Sequence, residues 1–311
     1  MTVCVYTGEA LAQYGFGDDH PFGTDRHDVF MRALKQDPAG SQVQYCKPVM
    51  AAGDEIKRFH TSAYVKKVIR QSKTGMGMLD GADTPAFSGV YEAAATVVGT
   101  VLKAADDILS GDCRQAFVPI AGLHHARRDG AAGFCVFNDC GVVIETLLGR
   151  YGLNRVAYID IDAHHGDGVY YGFEDEKRLI FVDLHEDGHY LYPGTGMPNE
   201  TGIGSARGSK LNIPMAPGST DEQFYSAWEE VEQHLEKFPP DFILLQCGAD
   251  SIEGDPITHM RYSTAAHRHA AQRLAVLAER YCSGRLLAMG GGGYNRDNLA
   301  AAWVAVVAAL V

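Results

Sequence analysis

YIDIDAHHGDG, residues Tyr158 to Gly168, is the stretch on which the reading of this chain turns. A β-branched, apolar lead-in (RVAYIDI, Arg155 to Ile161) runs directly into three aspartates and two adjacent histidines, closed by glycines. Side chains alternate between faces along an extended segment, so Asp160, Asp162 and His164 project to one side. A carboxylate and an imidazole two residues apart at a strand end suit a borderline divalent ion such as Zn²⁺, which takes nitrogen and oxygen ligands. The plainer alternative is a set of helix-capping aspartates with exposed histidines. It is the weaker reading because charged groups are rarely drawn into a glycine-lined turn unless paired or coordinated.

Four further runs share the form of this lead-in: Gln115 to Ile120, Leu179 to Leu184, Phe242 to Cys247 and Arg285 to Met289. Near-continuous apolar strands separated by helical patterns indicate a parallel sheet covered on both faces, hence an α/β fold. Each run ends in polar or glycine-rich sequence: GLHHA, HEDGH, GADS and GGGGYN follow the four, as DAHHGDG follows the first. In open α/β sheets ligands bind outside the carboxyl ends of the strands, so five segments point their chemistry at one rim.

Around this frame the chain predicts helices near Val29 to Leu34, from about Asp54 through FHTSAYVKKVI, over Gly89 to Leu109, and at the apolar tail Leu299 to Val311. That tail is far short of the roughly 20 residues of a membrane span. Thr74 to Ser88, rich in Gly, Asp and Pro, reads as a loop of functional length. No linker or repeat divides the chain, and one domain over residues 1–311 is expected.

Lys plus Arg number 27 against 39 Asp plus Glu, a formal charge of −12. This argues against a nucleic-acid partner. Seven cysteines without a CxxC do not read as a disulfide framework, and a reducing compartment fits best. The start, MTVCVYTGEA, shows no signal peptide, and a cytoplasmic location is expected.

Asp250 follows a buried strand and a glycine turn, as Asp162 does, and is the natural third ligand; alone it could be a helix N-cap. Two aspartates and one histidine leave a position open, the mark of a catalytic rather than a structural zinc site. His124 and His125 then become candidates for general base and acid, with Asp160 and Asp167 able to orient them. Tyr294, after Gly290 to Gly293, could donate to a developing oxyanion, and the glycine run lacks the ending of a phosphate loop. Phe134 and Tyr192 add aromatic walls.

The motifs GLHHA, GFC, DIDAHHGDG, YPGTG, CGADSIEGDP and GGGGYN resemble those of the zinc-dependent histone deacetylase family, including its bacterial deacetylase-like and acetoin-utilisation members. They extend from about His20 to Tyr294. The resemblance implies the arginase/deacetylase fold, with a mainly parallel sheet flanked by helices. It also implies hydrolysis of an acylated amine, an acyl-lysine protein or peptide or a small acylated amine; the lack of a membrane partner is read from the hydropathy, and a homo-oligomer is left open by the sequence. Matched position by position, it implies zinc on Asp162, His164 and Asp250, with Fe²⁺ the other candidate ion. The histidine pair would be backed by Asp160 and Asp167, and Tyr294 would polarise the acyl carbonyl. Gly133, Phe134 and Tyr192 would line a channel for an aliphatic acyl-lysine-like chain. Asp83 would hold substrate backbone at the rim, and Arg26 would be an internal arginine. A structural K⁺ is implied around Asp160, Asp162, His164 and Asp183, although Asp183 stands where many relatives have serine.

The runner-up is an acetylpolyamine amidohydrolase. One group of such relatives reads the distant ammonium with a glutamate seven residues after the metal aspartate. That position is Ile257 here, with Glu253 offset and Asp80 and Asp83 as other charges. A binuclear manganese enzyme of arginase type would need a further aspartate where this chain has His165 and Gly166. A non-catalytic acyl-lysine binder would have no need of an open metal position.

Overall fold

The computed structural model describes residues 2–17 and 19–311. Eight strands, β1 (Val3–Tyr6), β2 (Val43–Cys46), β3 (Gln115–Val118), β4 (Val156–Asp160), β5 (Leu179–Glu186), β6 (Lys210–Met215), β7 (Phe242–Gln246) and β8 (Leu286–Met289), form one sheet. Its spatial order is β2-β1-β3-β8-β7-β4-β5-β6, and every pairing is parallel. The central strands are buried along their whole length, as a sheet covered on both faces requires.

The helices are α1 (Glu9–Ala12), α2 (Arg26–Gln36), α3 (Gly53–Ile56), α4 (Ser62–Thr74), α5 (Val90–Ser110), α6 (Asp139–Glu145), α7 (Asp167–Gly172), α8 (Asp221–Lys237), α9 (Thr264–Cys282) and α10 (Arg296–Leu310). None among the described residues is long and apolar enough to cross a membrane. The tail predicted as a buried helix is α10, which packs on α9 and α2. The helical pattern from Asp54 through Ile69 is two helices rather than one. Thr61 caps α4, its hydroxyl accepting from Tyr64 N at 3.3 Å, and so starts a new helix after the turn that follows α3.

All five predicted strands are present, but three strands have no counterpart among them. β1 is only four residues long. β2 lies at the sheet edge and is only partly buried, so it lacks a continuous apolar run. β6, the other edge, carries Pro214 and Asn212, residues an edge tolerates and a central strand does not. A second departure concerns the cysteines: Cys4 and Cys113 are joined in a disulfide across 109 residues. The pairing follows from the adjacency of β1 and β3, which sequence spacing does not express.

The chain order matters for the site. After β3 the chain leaves a gap two strands wide before laying down β4, and the last two strands, β7 and β8, fill it. The four central strands, β3, β8, β7 and β4, thus come from distant parts of the sequence and end side by side.

Candidate active site

Asp162, His164 and Asp250 converge just beyond β4 and β7. His164 Nδ1 lies 3.1 Å from Asp162 Oδ1 and 3.2 Å from Asp250 Oδ2, with all three residues buried. They form one of two groups of three metal-ligating side chains among the described residues. Burial and neighbouring Asp162 push Asp250 up to about 7. Burial would lower His164, but its bonds to Asp162 and Asp250 push it up to about 10. Two carboxylates packed against one imidazole without water are costly unless a positive charge sits among them. A divalent ion supplies that charge, and the donor set suits one.

The backbone leaves room for it. A Cβ on Gly248 would collide with the Asp162 carboxylate, and one on Gly292 with both Asp250 and Asp162. Gly292 N also donates to Asp162 Oδ2 at 2.9 Å. Glycine at 248 and 292 is therefore a matter of close approach.

The histidine pair stands beside this cluster, at the end of β3. His124 Nδ1 bonds Asp160 Oδ2 at 2.7 Å, His125 Nδ1 bonds Asp167 Oδ1 at 2.7 Å, and the two Nε2 atoms face each other at 3.1 Å. With each Nδ1–H donated to a carboxylate, the facing Nε2 atoms can hold one proton between them. Burial and the neighbouring His124 lower His125 to about 4, so it is a free base at neutral pH. Burial would raise Asp167, but His125 holds it below the usual range.

A cavity of about 230 Å³ leads inward to the cluster. Asp83, Ile257 and Tyr192 line it together with Gly133, Phe134, His125, His164 and Tyr294. Gly133 has φ +51°, and a Cβ there would collide with His125. Phe134 is itself left-handed at φ +65°, held there by Thr84 Oγ1 on its N–H (3.1 Å) and Tyr14 Oη on its carbonyl (2.7 Å). A bulky residue in that conformation costs of order 1 kcal/mol and persists only where the surroundings over-determine it. Tyr294 packs edge-on to Phe134, ring centroids 5.8 Å apart. Beneath, Arg26 donates to the carbonyls of Gly293 (3.0 Å) and Gly291 (2.7 Å), bracing the glycine run before Tyr294. Asp183 lies opposite Asp160 in the β4–β5 register, and its carboxylate takes Gly166 N and His185 Nδ1, each at 2.8 Å.

Four residues that hold this arrangement escaped the sequence reading. Gln246 donates to Asp162 Oδ2 at 2.9 Å and to Gly122 O at 3.1 Å, tying the end of β7 to both clusters. Tyr158 donates to Asp160 Oδ2 at 2.6 Å. Asp139 accepts from Gly122 N and Leu123 N, each at 2.8 Å, and Asn138 Nδ2 donates to His124 O (3.1 Å) and Ala126 O (2.9 Å). In sequence Gln246, Asn138 and Asp139 look like ordinary strand-end or cap residues and Tyr158 like a strand-interior aromatic; the only signal is a polar group in or beside an apolar run.

His60 continues the Asn138 link, its Nε2 accepting from Asn138 N at 2.8 Å. Burial lowers His60 to about 3, so the folded chain keeps it neutral while the unfolded chain protonates it near 6.5. Its contribution is present above pH 6.5 and lost as pH falls towards 3, by about 1.4 kcal/mol per unit. Urea unfolding at pH 7 and pH 5 is expected to show a smaller acid loss for His60→Gln than for the wild type. Equal losses would remove His60 from the account.

A buried carboxylate–imidazole cluster at the carboxyl ends of a parallel sheet, with a histidine pair and a phenol beside it, offers the donor set and the proton-handling groups that a metal-dependent hydrolase requires. The comparisons with known proteins agree. A histone deacetylase domain matches residues 20–310. The acetoin utilization protein AcuC of Bacillus subtilis is 36% identical over 293 residues, covering 91% of this chain and 75% of that protein. A probable deacetylase of Archaeoglobus fulgidus is 34% identical over 280 residues, covering 89% and 77%. The crystal structure of the HDA15 HD domain superposes with a TM-score of 0.90 at 28% identity, covering 99% of this chain and 89% of that one. The chain belongs to the histone deacetylase family, and its fold is that of the family.

Proposed function

We propose that the chain, acting as one catalytic unit, is a zinc-dependent deacylase that removes an acyl group, foremost acetyl, from the amine of an acyl-lysine-like substrate. The observation that carries this reading is a narrow aromatic cavity lined at its inner end by His125, His164 and Tyr294, with Asp162 and Asp250 grouped on His164 and His124 facing His125. These three ligands would hold Zn²⁺, with Fe²⁺ as the other candidate. When bound, the ion would supply Lewis acidity to the acyl carbonyl and acidity to a water beside it.

The protein's own groups do the rest. Gly133, Phe134 and Tyr192 align the aliphatic chain and exclude solvent. Tyr294 donates its hydroxyl hydrogen to the oxygen of the acyl carbonyl as charge develops there. A water attacking the carbonyl gives its proton to an Nε2 of the His124–His125 pair, and the pair returns a proton to the leaving amine. Asp160 and Asp167 keep each Nδ1 protonated and each ring in place. The crowding of Asp160 by burial, Asp183 and Asp162 supports a K⁺ ion beside them.

The mouth favours a neutral-backbone substrate over a polycation. Glu253 is bonded to Arg261 at 2.8 Å, and the Asp80 carboxylate is taken by the backbone N–H groups of Ala82, Asp83 and Thr84 and the Thr84 hydroxyl. Ile257 is apolar, leaving Asp83 as the carboxylate that lines the mouth. Asp83 is also what favours the second reading, a small acetylated polyamine whose distant ammonium it could meet.

Comparing kcat/KM on an acetyl-lysine peptide with acetylputrescine and acetylspermidine decides between them. Preference for the peptide is expected, with activity lost to a chelator. Ile257→Glu is expected to shift the ratio towards the polyamines by roughly tenfold, about 1.4 kcal/mol of charge attraction at the mouth. An unshifted ratio would show that Ile257 does not set selectivity, and chelator-resistant turnover would overturn the metal-dependent reading.

A further inference from the structure

The second group of three metal-ligating side chains consists entirely of sulfur and lies around β1, β2 and the start of β3, whereas the histidine pair follows the opposite end of β3. Cys4, Cys46 and Cys113 bring their Sγ atoms within 4.8 Å of one another. Cys4 lies on β1, Cys46 ends β2 and Cys113 precedes β3, so three adjacent strands at one side of the sheet each contribute one. In the β1–β2 register Cys4 faces Gln44 and Tyr6 faces Cys46, which puts Cys4 and Cys46 on the same face. Cys4 and Cys113 are bonded to each other and buried, whereas Cys46 is a free, partly exposed thiol on the edge strand. The disulfide uses two sulfurs and leaves the presence of the third unexplained.

Thiolates held about 2.3 Å from one ion stand within about 4.6 Å of one another, and with the Cys4–Cys113 bond broken the three sulfurs, already within 4.8 Å, need only small shifts to reach that arrangement. Such ligands select soft cations. The surroundings suit positive charge: Asp107 of α5 accepts from the Tyr6 hydroxyl and from Lys103 over the same strands.

We propose that, with the Cys4–Cys113 bond reduced, Cys4, Cys46 and Cys113 form a second metal site for a thiophilic d¹⁰ cation of the Zn²⁺, Cd²⁺ or Cu⁺ type, and that formation of the disulfide closes it. Opening the site takes two electrons and two protons from a dithiol, which becomes a disulfide as the S–S bond breaks into two thiols. Binding of the cation then displaces protons from the three sulfurs to solvent. Re-oxidation by exchange with a small-molecule disulfide, which takes up the two electrons and is released as two thiols, re-forms the Cys4–Cys113 bond, removes two of the three ligands and releases the ion. The site is independent of the deacylase reading, since no active-site ligand is a sulfur.

The test is a Cd²⁺ titration of the full chain, monitored by thiolate-to-cadmium ultraviolet absorption, to which Asp162, His164 and Asp250 contribute nothing. The dithiol-reduced wild type is expected to show the band saturating at one equivalent, and the oxidised chain to lack it. Cys46→Ser, a change outside the disulfide, is expected to weaken Cd²⁺ binding at least tenfold while leaving deacetylase activity within twofold of wild type. A thiol count rising from the five free cysteines of the structure to all seven would accompany reduction. The proposal is overturned if the reduced wild type shows no band, if Cys46→Ser or the oxidised chain binds as tightly, or if the folded chain stays at five thiols under dithiol.

Discussion

Tyr294→Phe is expected to lower kcat on an acetyl-lysine peptide by about 10²–10³, the usual loss for one oxyanion donor, with KM little changed. Burial, then Asp250 and Asp162, raise the phenol well above its ordinary value, so it stays protonated and can only donate. Its position is set from several sides: the backbone N–H of Tyr294 donates to Asp255 Oδ2 at 2.8 Å, and Arg26 holds the carbonyls of Gly291 and Gly293. Phenylalanine keeps the edge-on packing against Phe134, so the variant removes the hydroxyl alone. Turnover near the wild-type level would take the oxyanion role away from Tyr294.

The second large effect belongs to Asp250→Asn, and its sign depends on the ion. In the loaded protein, loss of one anionic ligand is expected to lower activity by at least about 10³-fold, since the ion's charge stabilisation amounts to several kcal/mol. In the metal-free protein the same change relieves repulsion, because burial and Asp162 already push the Asp250 carboxyl to about 7. Thermal melts with and without Zn²⁺ separate the two. Wild type should gain about 4 kcal/mol at an ion concentration near a thousand times Kd, whereas the variant should gain little and melt no lower than wild type without metal. Full metal content and activity in Asp250→Asn would sink the assignment of Asp250 as a ligand.

Much of this was legible in the chain because it is local. An apolar β-branched run that ends in Asp, His or Gly announces a buried parallel strand and the chemistry at its carboxyl end. The five strands so marked are present, and Asp162, His164 and Asp250 do converge. The edge strands β2 and β6 were not legible, since a half-buried strand lacks the continuous apolar signature. The break between α3 and α4 was hidden because helical spacing continues across it, and the Thr61 cap is one hydroxyl.

By itself, then, the sequence determined which residue types stand at the strand ends, and with them the donor set and the family. Only the tertiary structure decided which ends are neighbours. β7 and β8 enter the sheet last yet occupy its centre, and this insertion brings Asp250 to Asp162 and Tyr294 to His125. Parallel pairing between strands separated by long crossovers is selected by burial and closure of the whole sheet, for which no short window carries a signal. The same holds for Gln246, Asn138 and Asp139, whose hydrogen-bond partners lie as many as 124 residues away, and for the three cysteines that meet across β1, β2 and β3.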